Sequence, residues 1–406
     1  WSWWVKRGNL WEKDLFGLRH PWSVSEWITF TGLNELYFKF WWGPENSYIK
    51  TNTQFTDLSK WYHVVAVLDT LNSTSTDRLR LYVDGQRITS FSSESYPWSG
   101  TEFYINNNEK HWLGWANETH GTFDWYMSDV HFVDGQALDP TSFGEDDAGT
   151  WKAIEYAWTY GTNWFYLDFE NSWNLGNDAS SWGTNDWTAT SLASTDQVID
   201  SPTNNFTTLD PGFSMNSPSI SEGNLKQVDG SSSSIIYSTA WTKSMSPNSG
   251  KWYWEVLLNN VSSTNYPKVG IMNYSDVMLN ADFPSSLQGI ASHGYFMWDR
   301  SWIQHTDGSF YTNNTIVWFK LDYSGSTGIL QVNKNGWNWD TVSSNITNPV
   351  TTYVWWLANS VEIFNFGQDS SFAWNKTKQN NPDSNGVGDF YYAPPAWFLA
   401  LSSENM

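Results

Sequence analysis

Residues 61–85 read WYHVVAVLDTLNSTSTDRLRLYVDG and contain two strand patterns joined by a polar loop. The first pattern, at 61–68, is apolar and rich in β-branched residues, which pack well on a pleated sheet. The second, at 79–83, alternates between apolar and polar residues and ends on Asp84-Gly85, a pair typical of hairpin turns. The run therefore predicts antiparallel strands connected by tight turns.

The same alternation recurs along the chain, and helical patterns are scarce. Another strand is expected at 126–133, again closed by an Asp-Gly pair, and one short helical turn at 139–144 with Asp139 as its cap. Further strand patterns follow at 251–256, 316–321, 329–332 and 361–367. These patterns predict an all-β chain with little helix.

The length of 406 residues favours more than one hydrophobic core. We predict a first antiparallel β-sandwich of jelly-roll type at 1–150 and a second at 213–406. The polar segment 151–212 between them is expected to be a partly ordered connector, since a bare loop of that length is unusual. The chain opens at Trp1 in strand-like sequence, and we expect it to be part of a longer protein.

Composition and charge exclude several functional classes. The formal net charge is −21, which argues against nucleic acid and against electrostatic binding to an anionic membrane. The sequence has no cysteine, so disulfides and thiolate metal sites are unavailable. No apolar run approaches the roughly 20 residues that span a bilayer. The expectation from composition is a protein without nucleic-acid partner or membrane insertion; the seven histidines form no metal pattern, and the resemblances described below imply that there is no cofactor.

Motifs of the first half resemble the laminin-G/concanavalin A-like lectin module. They are WYHVV at 61–65, RLRLYVDG at 78–85 and MSDVHFVDG at 127–135. The last motif, continued by QALDPTSFG at 136–144, is similar to sequences of virion and tail-fibre proteins of tailed phages. The resemblance implies a β-sandwich that recognises sugar or protein through its loops.

Motifs of the second half resemble a SPRY (B30.2) domain. They are NSGKWYWE at 248–255, VGI at 269–271, NKNG at 333–336 and the closing GDFYYAPP at 388–395. Together the two resemblances imply stacked β-sandwiches on the surface of a bacteriophage particle, in contact with other virion proteins. They also imply a homo-oligomer, because repeated virion subunits are usually symmetric.

Tryptophan is more frequent than glycine, 31 residues to 28, which is unusual for a globular protein. Trp125, Trp164, Trp374 and Trp397 stand where the resembling phage sequences carry glycine. At Trp374 and Trp397 the turn-like context itself favours glycine, which adopts left-handed backbone freely. One hypothesis is that UGA codons specify glycine in the host and were read as tryptophan; the alternative is a lineage enriched in tryptophan.

Catalytic patterns are weak. The Glu-x-Asp-x-x-Glu arrangement expected of a glycosidase on this fold is absent, and the densest acidic cluster, Glu145-Asp146-Asp147, is expected in a solvated loop. A cation site there is the alternative. His63 is expected to pack in its strand rather than bind a ligand. We therefore predict that the chain is not an enzyme.

Two segments combine aromatic rings with planar polar groups, the mixture that sugars require. The alternative at both is that the rings belong to the core and the polar residues cap turns. The candidate glycan-binding residues are Trp298, Asp299, Arg300, Trp302, Gln304 and His305 in the first segment, and Asn107, Asn108 and Trp115 in the second.

The sequence thus predicts a non-catalytic virion surface protein that binds host glycan or a protein receptor through sandwich loops. Two alternatives stay open. One is a purely structural role in decorating a capsid or joining fibre segments. The other is a glycan depolymerase, which rests on analogy of fold alone.

Overall fold

The structure is a computed structural model of the chain. It describes residues 1–19, 25–42, 45–114, 123–180, 183, 185–213, 219–228, 234–237, 245–260, 268–275, 288–291, 295–298, 301–304, 312–334, 339–356 and 360–406.

The chain forms two compact units, Trp1–Gln197 and Val198–Met406. Their boundary lies inside the segment 151–212. Residues 151–197 pack with the first unit, and the residues from 198 onward belong to the second. In the described part of the chain, no helix is long and apolar enough to cross a membrane.

The strands of the first unit are short and antiparallel. In chain order they are β1 (Ser2–Lys6), β2 (Lys13–Arg19), β3 (Ser25–Phe30), β4 (Glu35–Trp42), β5 (Glu45–Gln54), β6 (Trp61–Leu68), β7 (Leu79–Val83), β8 (Gln86–Arg87), β9 (Phe91–Ser95), β10 (His111–Leu113), β11 (Tyr126–Phe132), β12 (Gly144–Asp147), β13 (Thr150–Ala153) and β14 (Phe165–Leu167). Single 3-10 turns lie at Ser75–Asp77, Tyr104–Asn106 and Pro140–Ser142.

Among the described residues, these strands build two six-stranded sheets and one hairpin. We call the sheet of order β14-β11-β1-β6-β7-β8 the first sheet and the sheet of order β10-β2-β3-β4-β5-β9 the second sheet. Alternate residues of each strand point between the sheets, as strand geometry requires. Tyr62, Val64 and Ala66 of β6 enter this core together with Ile28 and Phe38 of the second sheet.

The hairpin β12-β13 brings the acidic trio Glu145-Asp146-Asp147 into a strand, so the expectation of a loop there was wrong. The trio stays exposed, and Asp147 forms an ion pair with Lys152 on the facing strand. The expected helical turn forms at Pro140–Ser142, but Asp139 makes no side-chain cap. Its Oδ1 instead accepts a hydrogen bond of 3.1 Å from the hydroxyl of Tyr82.

The second unit is a second antiparallel sandwich. Its strands are β15 (Ser219–Ser221), β16 (Lys226–Val228), β17 (Ser234–Tyr237), β18 (Gly250–Asn259), β19 (Lys268–Asn273), β20 (Gln288–Ala291), β21 (Tyr295–Trp298), β22 (Ser301–Gln304), β23 (Thr315–Tyr323), β24 (Gly328–Lys334), β25 (Asp340–Ile346), β26 (Val350–Trp356), β27 (Val361–Asn365) and β28 (Leu399–Ala400). Single 3-10 turns lie at Pro211–Phe213 and Ser403–Asn405.

Within the described residues, β15-β16-β27-β18-β23-β24-β25 form the larger sheet, with β28 added beside β18, and β17-β26-β19-β20-β21-β22 form the smaller one. The core between them contains Trp254, stacked on Phe319 with ring centroids 5.2 Å apart. The alternation at 251–256 produced this strand, because Trp252, Trp254 and Val256 all point inward. The prediction of an all-β chain with little helix is confirmed.

Two of the four tryptophans at suspected glycine positions have left-handed backbone. Trp374 has a φ of 67° and Trp397 a φ of 72°, and their side chains are 48% and 75% exposed. Such a conformation is costly for a bulky residue and free for glycine. Trp125 differs, because its indole is buried and packs 5.4 Å from the ring of Phe30. The glycine hypothesis therefore has a structural reason at Trp374 and Trp397 and none at Trp125.

Candidate functional site

The first sequence-predicted segment falls on the hairpin β21-β22. Trp298 ends β21, opposite Ser301, and Trp302 and Gln304 lie on β22, opposite Met297 and Tyr295. Asp299, Arg300 and His305 lie outside the described residues.

The second predicted segment leads into the edge strand β10. Asn107 and Asn108 are exposed in the loop before it, and the backbone amide of Asn107 donates a 2.9 Å hydrogen bond to the carbonyl of Tyr104. Trp115, just beyond the strand, lies outside the described residues. The loop is therefore a short ordered turn at one edge of the second sheet.

A row of residues crosses the outer face of the second sheet. Strand register aligns Trp112 of β10 with Gly17, Gly17 with Trp27, Trp27 with Lys39, and Lys39 with Tyr48. Since residues aligned in register point to the same side of a sheet, the four side chains share the face opposite the core. Gly17 contributes no side chain between the two indoles. We call Trp27, Tyr37, Lys39, Trp41, Tyr48 and Trp112 the aromatic row.

Lys39 lies at the centre of the aromatic row. Its Nζ is 4.7 Å from the ring centroid of Trp27 and 5.9 Å from those of Tyr37 and Trp41. A cation above aromatic faces is attracted by their quadrupoles, which holds the lysine stem against the rings. Partial burial among these rings lowers the pKa of Lys39, because the surroundings solvate the charge less well than water does.

Tyr37 and Tyr48 complete the surface. Their rings meet edge to face at a centroid distance of 5.8 Å, and Tyr37 is aligned with Lys50 on the neighbouring strand. Burial raises the pKa of Tyr37 above its ordinary value of 10, and its hydroxyl, protonated at neutral pH as in any tyrosine, can donate as well as accept. Trp41 is 38% exposed, and the other members are partly exposed. Flat apolar faces beside hydroxyl and ammonium groups suit a sugar ring.

A second concave place lies in the first unit, beside the turn Tyr104–Asn106. It is a cleft of about 480 Å³, with Trp1, Asp69, Asn106, Asp134 and Gln136 among the residues that line it. The amide of Asn106 donates a 3.0 Å hydrogen bond to Oδ1 of Asp134, so two of the polar groups are already paired with each other.

Chemistry by carboxylates finds little support in the described part of the chain. The pKa values raised to about 7 belong to Glu26 and Glu255, and burial causes both shifts. Both side chains are fully buried, so neither reaches a substrate. Among the described residues, no cluster of three or more His, Asp and Glu side chains could hold a metal ion.

Glu255 is held by a dense set of hydrogen bonds. Its carboxylate accepts from the backbone amides of Tyr391 and Tyr392, from the hydroxyl of Tyr253 and from the amide of Asn365, at 2.8–3.1 Å. The closing segment is thereby fixed to strand β18. The role of Glu255 is structural.

The sequence analysis missed the aromatic row, although a signal was present. Residues 35–42 read ELYFKFWW, in which Phe38 and Phe40 alternate with Tyr37, Lys39 and Trp41. Alternation places the first pair in the core and the other three outside. Several aromatic residues at outward positions of one strand predict an exposed apolar patch, and such patches often mark binding sites.

Comparison with known proteins supports the fold of the first unit. Residues 1–142 match the model of the concanavalin A-like lectin/glucanases superfamily. No curated protein sequence matches the chain.

Three solved structures are similar to the chain at low levels. The mouse laminin alpha1 chain, domains LG4-5, aligns over 89% of this chain and 79% of its own, with 12% identity and a TM-score of 0.28. The SPRY domain of human HERC1 aligns over 38% of this chain and 96% of its own, with 12% identity and a TM-score of 0.30. The TRIM65 PSpry domain covers 39% and 88%, with 11% identity and a TM-score of 0.28. From the superfamily match and its two antiparallel sheets, we conclude that the first unit has a concanavalin A-like fold.

Proposed function

We propose that the chain is a non-catalytic binding protein whose first unit holds glycan against the aromatic row. The observation that carries this proposal is the alignment of Trp112, Trp27, Lys39 and Tyr48 across neighbouring strands of one sheet face. Sugar rings stack their C–H faces on indoles and phenols, and their hydroxyls take up the polar groups between them. A rigid sheet positions these groups better than loops do.

We also propose where the protein acts. The motif at 127–144 is similar to phage virion proteins, and on that resemblance we place the chain on the surface of a phage particle, where it binds host glycan. Detection of the chain by mass spectrometry in purified particles tests the location.

Glycan-array binding by the purified chain tests the function, with Trp27→Ala as the principal variant. We expect at least a tenfold loss of binding, since stacking on one ring contributes about 1.5 kcal/mol. Trp173→Ala is the matched control, because this indole is 97% exposed in the same unit and lies outside the aromatic row.

Equal binding by Trp27→Ala and the parent chain contradicts the proposed site. If Trp27→Ala binds glycan normally and Asn106→Ala does not, the glycan site lies in the cleft beside Asn106 instead. A folded chain that binds no glycan favours the structural alternative, and release of reducing sugar from a bound polysaccharide favours the depolymerase.

A further inference from the structure

Lys39 has no carboxylate partner among the described residues, although the chain carries 42 acidic residues against 21 lysines and arginines. Several other lysines of the first unit are paired, such as Lys60 with Asp84 at 2.8 Å and Lys50 with Glu35 at 3.4 Å. Its Nζ instead lies over the rings of Trp27, Tyr37 and Trp41. In the part of the chain that the structure describes, no carboxylate pairs with this ammonium group, although the chain is rich in acid.

The acids on the same face do not neutralise Lys39. Glu35 is buried and ion-paired with Lys50. Asp14, aligned with Thr29, is also buried, with 3% of its surface exposed. Among the residues that the structure describes, the ammonium group of Lys39 at the centre of the aromatic row therefore has no carboxylate to neutralise it.

A second cation stands at the edge of the row. Lys110 is exposed just before β10, with its Nζ 5.2 Å from the ring centroid of Trp112. Three strand spacings, about 14 Å, separate the backbones at Trp112 and Lys39. A ligand that contacts both cations must extend over more than one sugar ring.

From this arrangement we infer that the aromatic row takes an acidic polysaccharide, one whose sugar rings carry carboxylate or sulfate groups. The inference rests on the proposed glycan binding and names the class of ligand. An anionic group placed on Lys39 forms a charge-assisted hydrogen bond, while the neighbouring indoles cover the apolar face of the same sugar. An anion at this position also offsets the partial desolvation that lowers the pKa of Lys39.

The net charge of −21 opposes the approach of an acidic polymer at long range. At 0.15 M salt the Debye length is about 8 Å, so distant charges are screened, whereas a contact at Lys39 is screened less. Binding is therefore best measured at this ionic strength.

The probes are oligogalacturonate and its fully methyl-esterified form, which share one backbone and differ in charge. Isothermal titration should give at least tenfold tighter binding for the acid than for the ester. Dextran sulfate and dextran repeat the comparison with sulfate as the anion, and show which of the two acidic groups the row prefers.

Lys39→Met keeps the length of the side chain and removes its charge. It should remove the tenfold difference in affinity between acid and ester, whatever its effect on the affinity for the ester, whereas Lys39→Arg should keep that difference. Lys320→Met is the matched control, because Lys320 also lies over aromatic rings, 4.3 Å from the centroid of Trp339, but in the second unit. Circular dichroism establishes that each variant is folded.

The outcomes separate the inference from the proposed function. Equal binding of acid and ester, or an acid preference that survives Lys39→Met, overturns the acidic ligand and leaves glycan binding in place. Failure of every probe and of the glycan array together overturns the proposed function itself.

Discussion

The Nδ1 atom of His63 accepts a 2.8 Å hydrogen bond from the indole Nε1–H of Trp151, although 88 residues separate them along the chain. The imidazole is fully buried, lies parallel to the ring of Trp4 at 4.6 Å, and pairs through Nε2 with the hydroxyl of Ser2 at 2.8 Å. The expectation that His63 packs in its strand is confirmed. Through Trp151 the histidine fastens the hairpin β12-β13 to the outer face of the first sheet.

The first unit should lose stability in acid. Burial lowers the pKa values of His63 and His131 to about 3, below the ordinary value of 6.5. The unfolded chain therefore binds more protons than the folded one between these values, so the stabilisation is complete above pH 6.5 and is lost as the pH falls toward 3. Each histidine should cost about 2 kcal/mol between pH 7 and pH 5. Urea unfolding across this range measures the loss.

His63→Gln and His131→Gln are the variants for this prediction. Each removes one titrating group and should reduce the pH dependence by about one proton. An unchanged slope in both variants contradicts the assignment. Glu255 works in the opposite direction, because its raised pKa makes its contribution fall as the pH rises from 4.5 to about 7. In the first unit Glu26, whose pKa burial also raises to about 7, offsets about one of the two histidines, so the net loss of stability in acid there should be smaller than their sum.

Glu255→Gln should destabilise the second unit by about 2–4 kcal/mol. Both carboxylate oxygens accept from backbone amides, so the new NH₂ group must face a donor and leave it unsatisfied. Faster amide exchange at Tyr391 and Tyr392 should accompany the loss in chemical unfolding.

Asp322→Asn is the matched control for Glu255→Gln. Its carboxylate, on the neighbouring strand β23, pairs with Lys251 at 2.8 Å, but both side chains are partly exposed. Its effect should stay within about 1 kcal/mol, as for other surface pairs. Equal losses in the free energy of unfolding from the two changes would show that the buried hydrogen bonds of Glu255 stabilise the second unit no more than a surface ion pair does.

Replacement of Trp374 or Trp397 by glycine should raise the stability of the second unit by about 1 kcal/mol. Relief of left-handed backbone strain is partly offset by the greater freedom of glycine in the unfolded chain. Both side chains have substantial exposure, so little packing is lost. Trp173→Gly, at an exposed residue without positive φ, should give no gain. Thermal unfolding measures all three.

The natural identity of these residues can be read directly by mass spectrometry of the protein from its source. Glycine at 374 or 397 would establish that the host decodes these positions as glycine. A peptide of residues 372–378 that contains tryptophan ends the hypothesis at 374, and the strained tryptophan then belongs to the native protein.

Local patterns predicted individual strands in both units, but they did not predict β2 to β5 of the second sheet or what covers the strands. The strand predicted at 79–83 has the same bounds as β7, and the strand predicted at 126–133 ends one residue beyond β11. The contact of His63 with Trp151 joins residues that no local pattern links, and this is why 151–153 was predicted as connector rather than as part of a hairpin.

The candidate site was harder to predict, for a physical reason. An outward aromatic such as Trp27 has the same residue type as an inward one, and the two are distinguished only once the register is known. Asn107 and Asn108 were named as glycan-binding candidates from the composition of their segment alone, and they lie in the loop before β10, the strand that carries Trp112. Lys39 was not predicted as a site residue, because whether a lysine has a carboxylate partner depends on the folded structure and not on the local sequence.

The hydrogen bonds from the amides of Tyr391 and Tyr392 to Glu255 join residues 136 and 137 positions apart. During synthesis they can therefore form only long after strand β18 has been made. A ribosome adds about 5–20 residues per second, so strand β18 waits roughly 7–27 s for its partner segment. During that interval the carboxylate of Glu255 lacks two of the donors that it has in the folded unit. The side of β18 that faces away from the core is also not yet covered by the closing segment. A chain that ends before residue 391 would lack the two backbone amides that donate to Glu255, so we expect truncation there to destabilise the second unit.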